Sequence, residues 1–192
     1  STANMFYNNA RRKVGLVGHW DVVAFDEVGG MKITDPDTAQ IMKDYMANGR
    51  FSRGVTQVLA DASLVFIGNL NQPVESLVQN SATDLFQPLP KEFDLALLDR
   101  MHFYFPGWEV PKISKDILTT HYGFVTDYIA EAFRNLRKQN RFDEAERMFR
   151  FGSHVEGRDA IAVKKTVSGL LKILHPGGEW TKEEMVEYME LA

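Results

Sequence analysis

The chain has 192 residues, 44% of them apolar and 25% charged, with a formal net charge of −4. That is enough apolar material for one domain with a smaller appendage, and too much for a disordered chain. The absence of cysteine excludes a disulfide framework and a thiolate metal site, and fits a reducing, cytoplasmic compartment. There is no apolar run of the ~18 residues that suggest a membrane span, and no signal-peptide pattern, so the chain reads as soluble, without a membrane partner.

The opening, STANMFYNNARRKVGLVGHW, leads abruptly into an α/β pattern and reads as carrying a tag remnant, with KVGLVG as a short hairpin strand turning at Gly15 and Gly18. DVVAF (21–25) is apolar on both faces and β-branched, the signature of a fully buried strand. In TDPDTAQIMKDYMANG, Asp35 caps a helix that begins at Pro36, carries Ile41, Tyr45 and Met46 at helical spacing, and ends at Gly49. RFSRGVTQVLADAS has β-formers on either side of a glycine and predicts a hairpin projecting from the sheet. LVFIGN is a second buried strand, ending in Asn69.

A loop rich in Pro and polar residues comes next. EFDLALLDRMHFYFPGW predicts a short helix through Leu98, a strand over His102–Phe105 and a turn at Pro106-Gly107. After Pro111 the pattern becomes helical. Val125, Tyr128, Ile129, Ala132, Phe133 and Leu136 form one apolar stripe. FDEAERMFRF and GRDAIAVKKTVSGLLKILHPGG predict two more helices, the second closed at His175-Pro176-Gly177. TKEEMVEYMELA opens with a Thr cap and a Glu three residues on, a capping box. Residues 1–112 therefore read as α/β and 113–192 as all helical. Between Arg134 and Lys172 ten Lys/Arg face five Asp/Glu, either a phosphate-attracting segment or a solvated helix face.

The end of the first buried strand carries the chemistry. An apolar strand that delivers Asp26 and Glu27 to the C-terminal edge of a parallel sheet fits a nucleotide hydrolase. Asp26 would hold Mg²⁺ through its water shell, and Glu27 would orient the attacking water. Strands also end in acidic residues for capping alone, so the order of the downstream residues matters. The next buried strand delivers Asn69, able to hydrogen-bond a γ-phosphate or the same water. Arg100 stands at a helix-to-strand junction, where it could neutralise charge at a neighbouring subunit's nucleotide. Arg158 opens a helix of the all-α part. Singly, each has an ordinary structural reading: a loop cap, a surface ion pair, a solvated helix start.

Together, in this order, they resemble AAA+ ATPases: VVAFDE as Walker B, Asn69 as sensor 1, Arg100 as arginine finger, Arg158 as sensor 2. LLDRM (97–101) is similar to a run in Lon and its relatives. GLVGHWDVVAFDEVGG, FSRG, FIGNLN, DRMHFYFPGWEVPK and AVKKTVSGLLKILHP are similar to the Lon-related family of BREX phage-defence systems, over essentially the whole chain. The resemblance implies a partial three-layer α/β/α AAA+ core followed by a helical lid. It implies ATP and Mg²⁺, and a homo-oligomeric ring, a hexamer or a multiple of one. DNA and other phage-defence components would be its partners. No Gly-Lys pair occurs, so the resemblance places the Walker A loop upstream of this fragment, which alone would be inactive. The resemblance also implies a Ser-Lys protease domain downstream of the lid; Ser114-Lys115 has the wrong context to be that pair.

The family's likeness to MCM helicases makes the hairpin at 50–63 a pore hairpin, with Arg53 contacting DNA phosphates; the alternative is an exposed arginine without a partner. The five histidines show no metal-ligand spacing, and His102 reads as a satisfied strand residue. Trp108 reads as a packing anchor, and Met31, Met42 and Met46 as core filler. Three functions stay open: a DNA-engaging motor, a protein unfoldase feeding a Lon-type protease, and a non-catalytic scaffold.

Overall fold

The computed structural model describes residues 2–8, 10–33, 36–53, 56–80, 82–153, 155 and 157–192, without the side chains of Arg53, Phe142 and Ala145. The expected cap at Asp35 and His154 lie outside the described residues. The chain divides into two compact units, Ser1–Arg100 and Met101–Ala192. The first is mixed α/β; the second carries no strand among its described residues.

The first unit runs α1 (Ala3–Phe6), β1 (Tyr7–Asn8), β2 (Lys13–Val14), β3 (Val22–Phe25), α2 (Pro36–Asn48), β4 (Arg50–Arg53), β5 (Thr56–Leu59), β6 (Ser63–Phe66), α3 (Val74–Gln79) and α4 (Leu95–Leu98). Its strands form three two-stranded ladders: β1 antiparallel to β2, β4 antiparallel to β5, and β3 parallel to β6. The hairpin read from RFSRG is the β4–β5 ladder, closed by the Ala60 N–H on the Gly49 carbonyl.

The opening segment packs into this unit through Phe6. Phe6 is buried and meets Tyr45 of α2 and Phe51 of β4 edge-to-face, with both centroids 5.7 Å away. Such ring pairs add to the burial of their area. Tyr45 satisfies its hydroxyl by donating to the Ala62 carbonyl at 2.7 Å. Met42 of α2 is fully buried, while Met31 and Met46 are half-buried.

The parallel pair departs from the sequence reading in one respect. Val23 and Phe25 are buried, but Val22 is 55% exposed and Ala24 is exposed too. Val65 and Ile67 on the neighbouring strand are likewise exposed. The strand is thus covered on one face among the described residues, because a single ladder partner and one packed layer cannot enclose both. The buried face holds a line of rings: Phe25 stacks on Phe66 at 5.2 Å, and Phe66 meets Phe93 edge-on at 5.2 Å.

Phe93 leads into α4, which is capped by Asp94: its Oδ1 accepts the Leu97 N–H at 3.0 Å, and its Oδ2 accepts from Lys43 of α2 at 2.6 Å. Helix α3 was not legible in the sequence, where residues 70–91 read as loop. It is one short turn-and-a-half anchored by Leu77, which is fully buried.

The second unit contains α5 (Thr126–Arg137), α6 (Phe142–Met148), α7 (Arg158–Leu174) and α8 (Lys182–Leu191). Val167 and Leu171 of α7 pack on Met185 and Tyr188 of α8. The capping box is present: the Thr181 hydroxyl accepts the Glu184 N–H, and the Glu184 carboxylate accepts the Thr181 N–H at 2.7 Å. Arg141, from the connection between α5 and α6, lies over the ring of Trp180 at 5.4 Å and against Gly178, both in the turn between α7 and α8. His175 shares a 2.7 Å hydrogen bond with the Tyr188 hydroxyl.

The apolar stripe read over 125–136 forms helix α5 as expected, but it is largely uncovered: Tyr128 and Phe133 are exposed, and only Ile129 and Leu136 of the stripe are half-buried. One expectation fails in this unit: the strand at His102–Phe105 is absent. Aromatic residues favour strands only where a neighbour strand accepts the pairing, and none lies beside this segment among the described residues. Instead the His102 carbonyl accepts from Thr166 of α7 at 3.1 Å, and its ring lies 3.2 Å from Lys165 Nζ. Phe103, Tyr104 and Phe105 are all exposed, as is Trp108, which sits 6.1 Å from Tyr104 rather than anchoring a core. No described helix is long and apolar enough to cross a membrane.

This packing can be tested at two points. The hydrogen bond from Lys43 holds the Asp94 carboxyl below its usual range. A depressed carboxylate stabilises the fold above its unfolded value, near pH ~4, and that contribution is lost as pH falls through the lower folded value. Lys43→Met should therefore move the Asp94 carboxyl titration upward by NMR. It should destabilise the chain at neutral pH and leave it equal to the parent at pH values below both titrations.

Gly68 lies so close to Pro88 and Val28 that an added Cβ would stand 2.7 Å and 2.9 Å from their side chains. Pro88 is a rigid ring, so Gly68→Ala should cost about 1–3 kcal/mol, as overpacking does, read as a lowered denaturation midpoint.

Candidate nucleotide site

The parallel register pairs Val22 with Ser63 and Phe25 with Phe66, so both strands end at the same level. Two further backbone bonds extend the ladder: Ile67 N–H to the Phe25 carbonyl at 2.9 Å, and Val28 N–H to the Ile67 carbonyl at 3.0 Å. The residues after Phe25 and Ile67 are therefore delivered side by side at the C-terminal end, where open α/β sheets hold ligands. They are Asp26-Glu27 on one strand and Gly68-Asn69 on the other.

Asp26 turns one carboxylate oxygen back on the chain, accepting the Glu27 N–H at 2.8 Å. Glu27 has φ 51° and ψ 48°, the left-handed region, before a 3-10 turn over Val28–Gly30. A glutamate adopts that conformation at a cost of about 1–2 kcal/mol. Such outliers persist where the surroundings over-determine them, and they cluster at functional sites. Here the two bonds of the Val28–Ile67–Phe25 ladder hold the backbone on either side.

A concavity of about 570 Å³ opens beside this turn, with Glu27 and Asn69 both in its lining. Asn71, Gln87, Lys91 and Glu92 bring further polar side chains to it. A second, of about 390 Å³, is lined by Asp26 and again by Glu27. Glu27 thus stands between two openings, with Asp26 facing one and Asn69 the other. All three are exposed.

The remaining expected residues are not part of this grouping. Arg100 comes after α4, and its Nη1 donates to the Ala96 carbonyl within that helix. Its Nε is buried without a hydrogen-bond partner among the described residues. Arg158 is the first residue of α7, exposed, in the second unit. Arg53 ends β4, and its side chain lies outside the described residues.

No cluster of three or more His, Asp or Glu forms a ready metal cage among the described residues. The donors present suit Mg²⁺ nonetheless. It takes hard oxygen ligands, keeps much of its water shell, and is held by one or two carboxylates together with substrate phosphates. Exposed Asp26 and Glu27, adjacent on a fixed strand end, meet that description.

Sequence reasoning missed Asn71, Gln87 and Lys91. They sit in the segment read as loop, which the approach of Pro88 to Gly68 and Gly29 and the Phe66–Phe93 contact bring to the strand ends. The Pro88-Leu89-Pro90 spacing was the available signal for a stiff wall, since each proline fixes its own φ.

The family described as "Lon-like protease BrxL-like, ATPase domain" matches residues 1–192. A "Lon-like protease BrxL" of Bacillus cereus (strain H3081.97) is 51% identical over 194 residues, covering 100% of this chain and 28% of its own. One of Escherichia coli O9:H4 (strain HS) is 51% identical over 186 residues, covering 96% of this chain and 26% of its own. The chain thus spans about a quarter of the length of these curated relatives. It belongs to the Lon-like protease BrxL-like family and corresponds to the ATPase domain of that family.

Proposed function

We propose that this chain is the nucleotide-hydrolysing part of an AAA+ ring motor. In this reading Ser1–Arg100 contributes part of a three-layer α/β/α core that carries Walker B and sensor 1, and the helices beyond it form the lid. The observation that carries the reading is the juxtaposition of Glu27, in a left-handed conformation, with Asn69 in one concavity at the end of a parallel strand pair.

Glu27 accepts a hydrogen bond from a water and turns its lone pair toward the terminal phosphate. Asn69 fixes either that water or a γ-phosphate oxygen. Asp26 would hold Mg²⁺, which would supply charge neutralisation at the phosphates. Arg100 acts on a neighbouring subunit's nucleotide, which requires its guanidinium to leave the Ala96 carbonyl. Its unpaired Nε supports a second arrangement of that side chain. Arg158 answers from the lid. A trans-acting arginine implies a heterologous interface, and a closed ring is its finite solution.

DNA is the proposed substrate, tracked by the β4–β5 hairpin through Arg53. Such contacts are with phosphates and weaken steeply with salt. The name of the relatives, Lon-like protease, supports the second reading, an unfoldase acting on protein.

In a full-length protein carrying this chain, Glu27→Gln should lower ATP hydrolysis on the order of 10²–10⁴-fold, the usual contribution of a group handling a proton. Unchanged hydrolysis would leave the carboxylates structural and the chain a scaffold. Stimulation by DNA that disappears with rising salt supports the DNA motor, and stimulation by casein alone supports the unfoldase.

The backbone at Glu27 makes a separate prediction. Glu27→Gly should be more stable than Glu27→Ala by about 1 kcal/mol, because only glycine enters the left-handed region freely. Thermal denaturation of the two variants measures the difference.

A further inference from the structure

The concavity that holds Glu27 and Asn69 has a third wall that the proposed hydrolysis does not use. Residues 84–93 form a chain of turns: Phe86 N–H bonds to Asp84 Oδ1, Leu89 N–H to the Phe86 carbonyl, and Phe93 N–H to the Pro90 carbonyl. Each end of this wall is fixed. Pro88 rests against Gly68. Phe93 is buried on Phe66, and Asp94 is tied to Lys43 at 2.6 Å. Pro88 and Pro90 restrict the backbone between them. A side chain on this wall is therefore carried at a set position relative to the end of β6.

Lys91 is that side chain. Among the described residues it is the only Lys or Arg lining the concavity, beside two carboxylates, Glu27 and Glu92, and three amides, Asn69, Asn71 and Gln87. Among those residues it forms no ion pair with either carboxylate. Beyond the charge that Mg²⁺ neutralises at the strand end, two carboxylates in one opening still disfavour a polyphosphate, and a fixed cation on the facing wall offsets them. Lysine serves phosphate as a compact point charge with three donors.

We infer that Lys91 binds the terminal phosphate of the nucleotide, acting from the same subunit as Glu27 and Asn69. The inference rests on the hydrolysis reading and assigns the residue that distinguishes a triphosphate from a diphosphate at that site. Contact is with the γ-phosphate because Glu27 and Asn69, which line the same concavity, serve the bond between the β- and γ-phosphoryl groups. Lys91 binds ground state and transition state alike, so its loss appears in KM more than in kcat.

The test uses full-length protein and equilibrium binding of fluorescent ADP and of a fluorescent, non-hydrolysable ATP analogue, each with Mg²⁺. Lys91→Ala should weaken the triphosphate about tenfold, the size of one exposed charge-assisted contact. It should change diphosphate affinity less than about twofold and raise KM for ATP with little change in kcat. Lys91→Arg should restore triphosphate binding to within about threefold, since it keeps the charge. An unchanged ratio of triphosphate to diphosphate affinity in Lys91→Ala overturns the inference and leaves Lys91 a solvated surface lysine. Glu27→Gln separates the two levels. If it abolishes hydrolysis while Lys91→Ala leaves the ratio intact, only this inference fails. If it leaves hydrolysis unchanged, the hydrolysis reading fails with it.

Discussion

The parallel pairing of β3 with β6 is the constraint on which the candidate site depends. Parallel strands cannot be joined by a tight turn; here α2 and the β4–β5 hairpin lie between them in sequence. Their register is held on one face by the Phe25–Phe66 stack and continued past the strand ends by the Val28–Ile67–Phe25 backbone bonds. A one-residue slip would turn Phe25 to the opposite face and carry Glu27 away from Asn69. Packing and chemistry therefore share one register.

The same pairing explains where strain is tolerated. Among the described residues Glu27 is one of two non-glycine residues with positive φ, the other being Arg12. Asp26 caps the turn from one side by accepting the Glu27 N–H, and Val28 anchors it from the other. The Glu27 side chain beyond this turn is exposed. Its orientation comes from the backbone rather than from burial against a counter-ion. Pre-organisation of that kind leaves the carboxylate oxygens available to water.

The second unit is built on different physics. Its core is one small cluster between α7 and α8, supported by a capping box and by an arginine lying over an indole ring. Around it, Tyr122, Phe124, Tyr128, Ile113 and Phe103 are exposed, a large apolar area for a unit that runs only from Met101 to Ala192. Helix periodicity placed Tyr128 in the apolar stripe of α5, but it registers amphipathicity and not what covers the apolar face.

Local patterns were legible in the sequence wherever the information lay within a few residues. The start of α2 at Pro36, the β4–β5 hairpin, the length of α7 and the Thr181–Glu184 capping box all come from capping, turn and periodicity rules. So does the delivery of Asp26-Glu27 and Asn69 by strand ends. Tertiary structure decided what depends on distant neighbours. The HFYF run stayed irregular because no described strand lies beside it to accept its pairing. The faces of β3 and β6 stayed half-covered because burial is a property of what packs on a strand and not of the strand itself. The left-handed turn at Glu27, the burial of Phe6 in an aromatic cluster and the approach of Lys91 to the strand ends were equally hidden. Each is set by contacts between residues tens of positions apart, which local propensity does not encode.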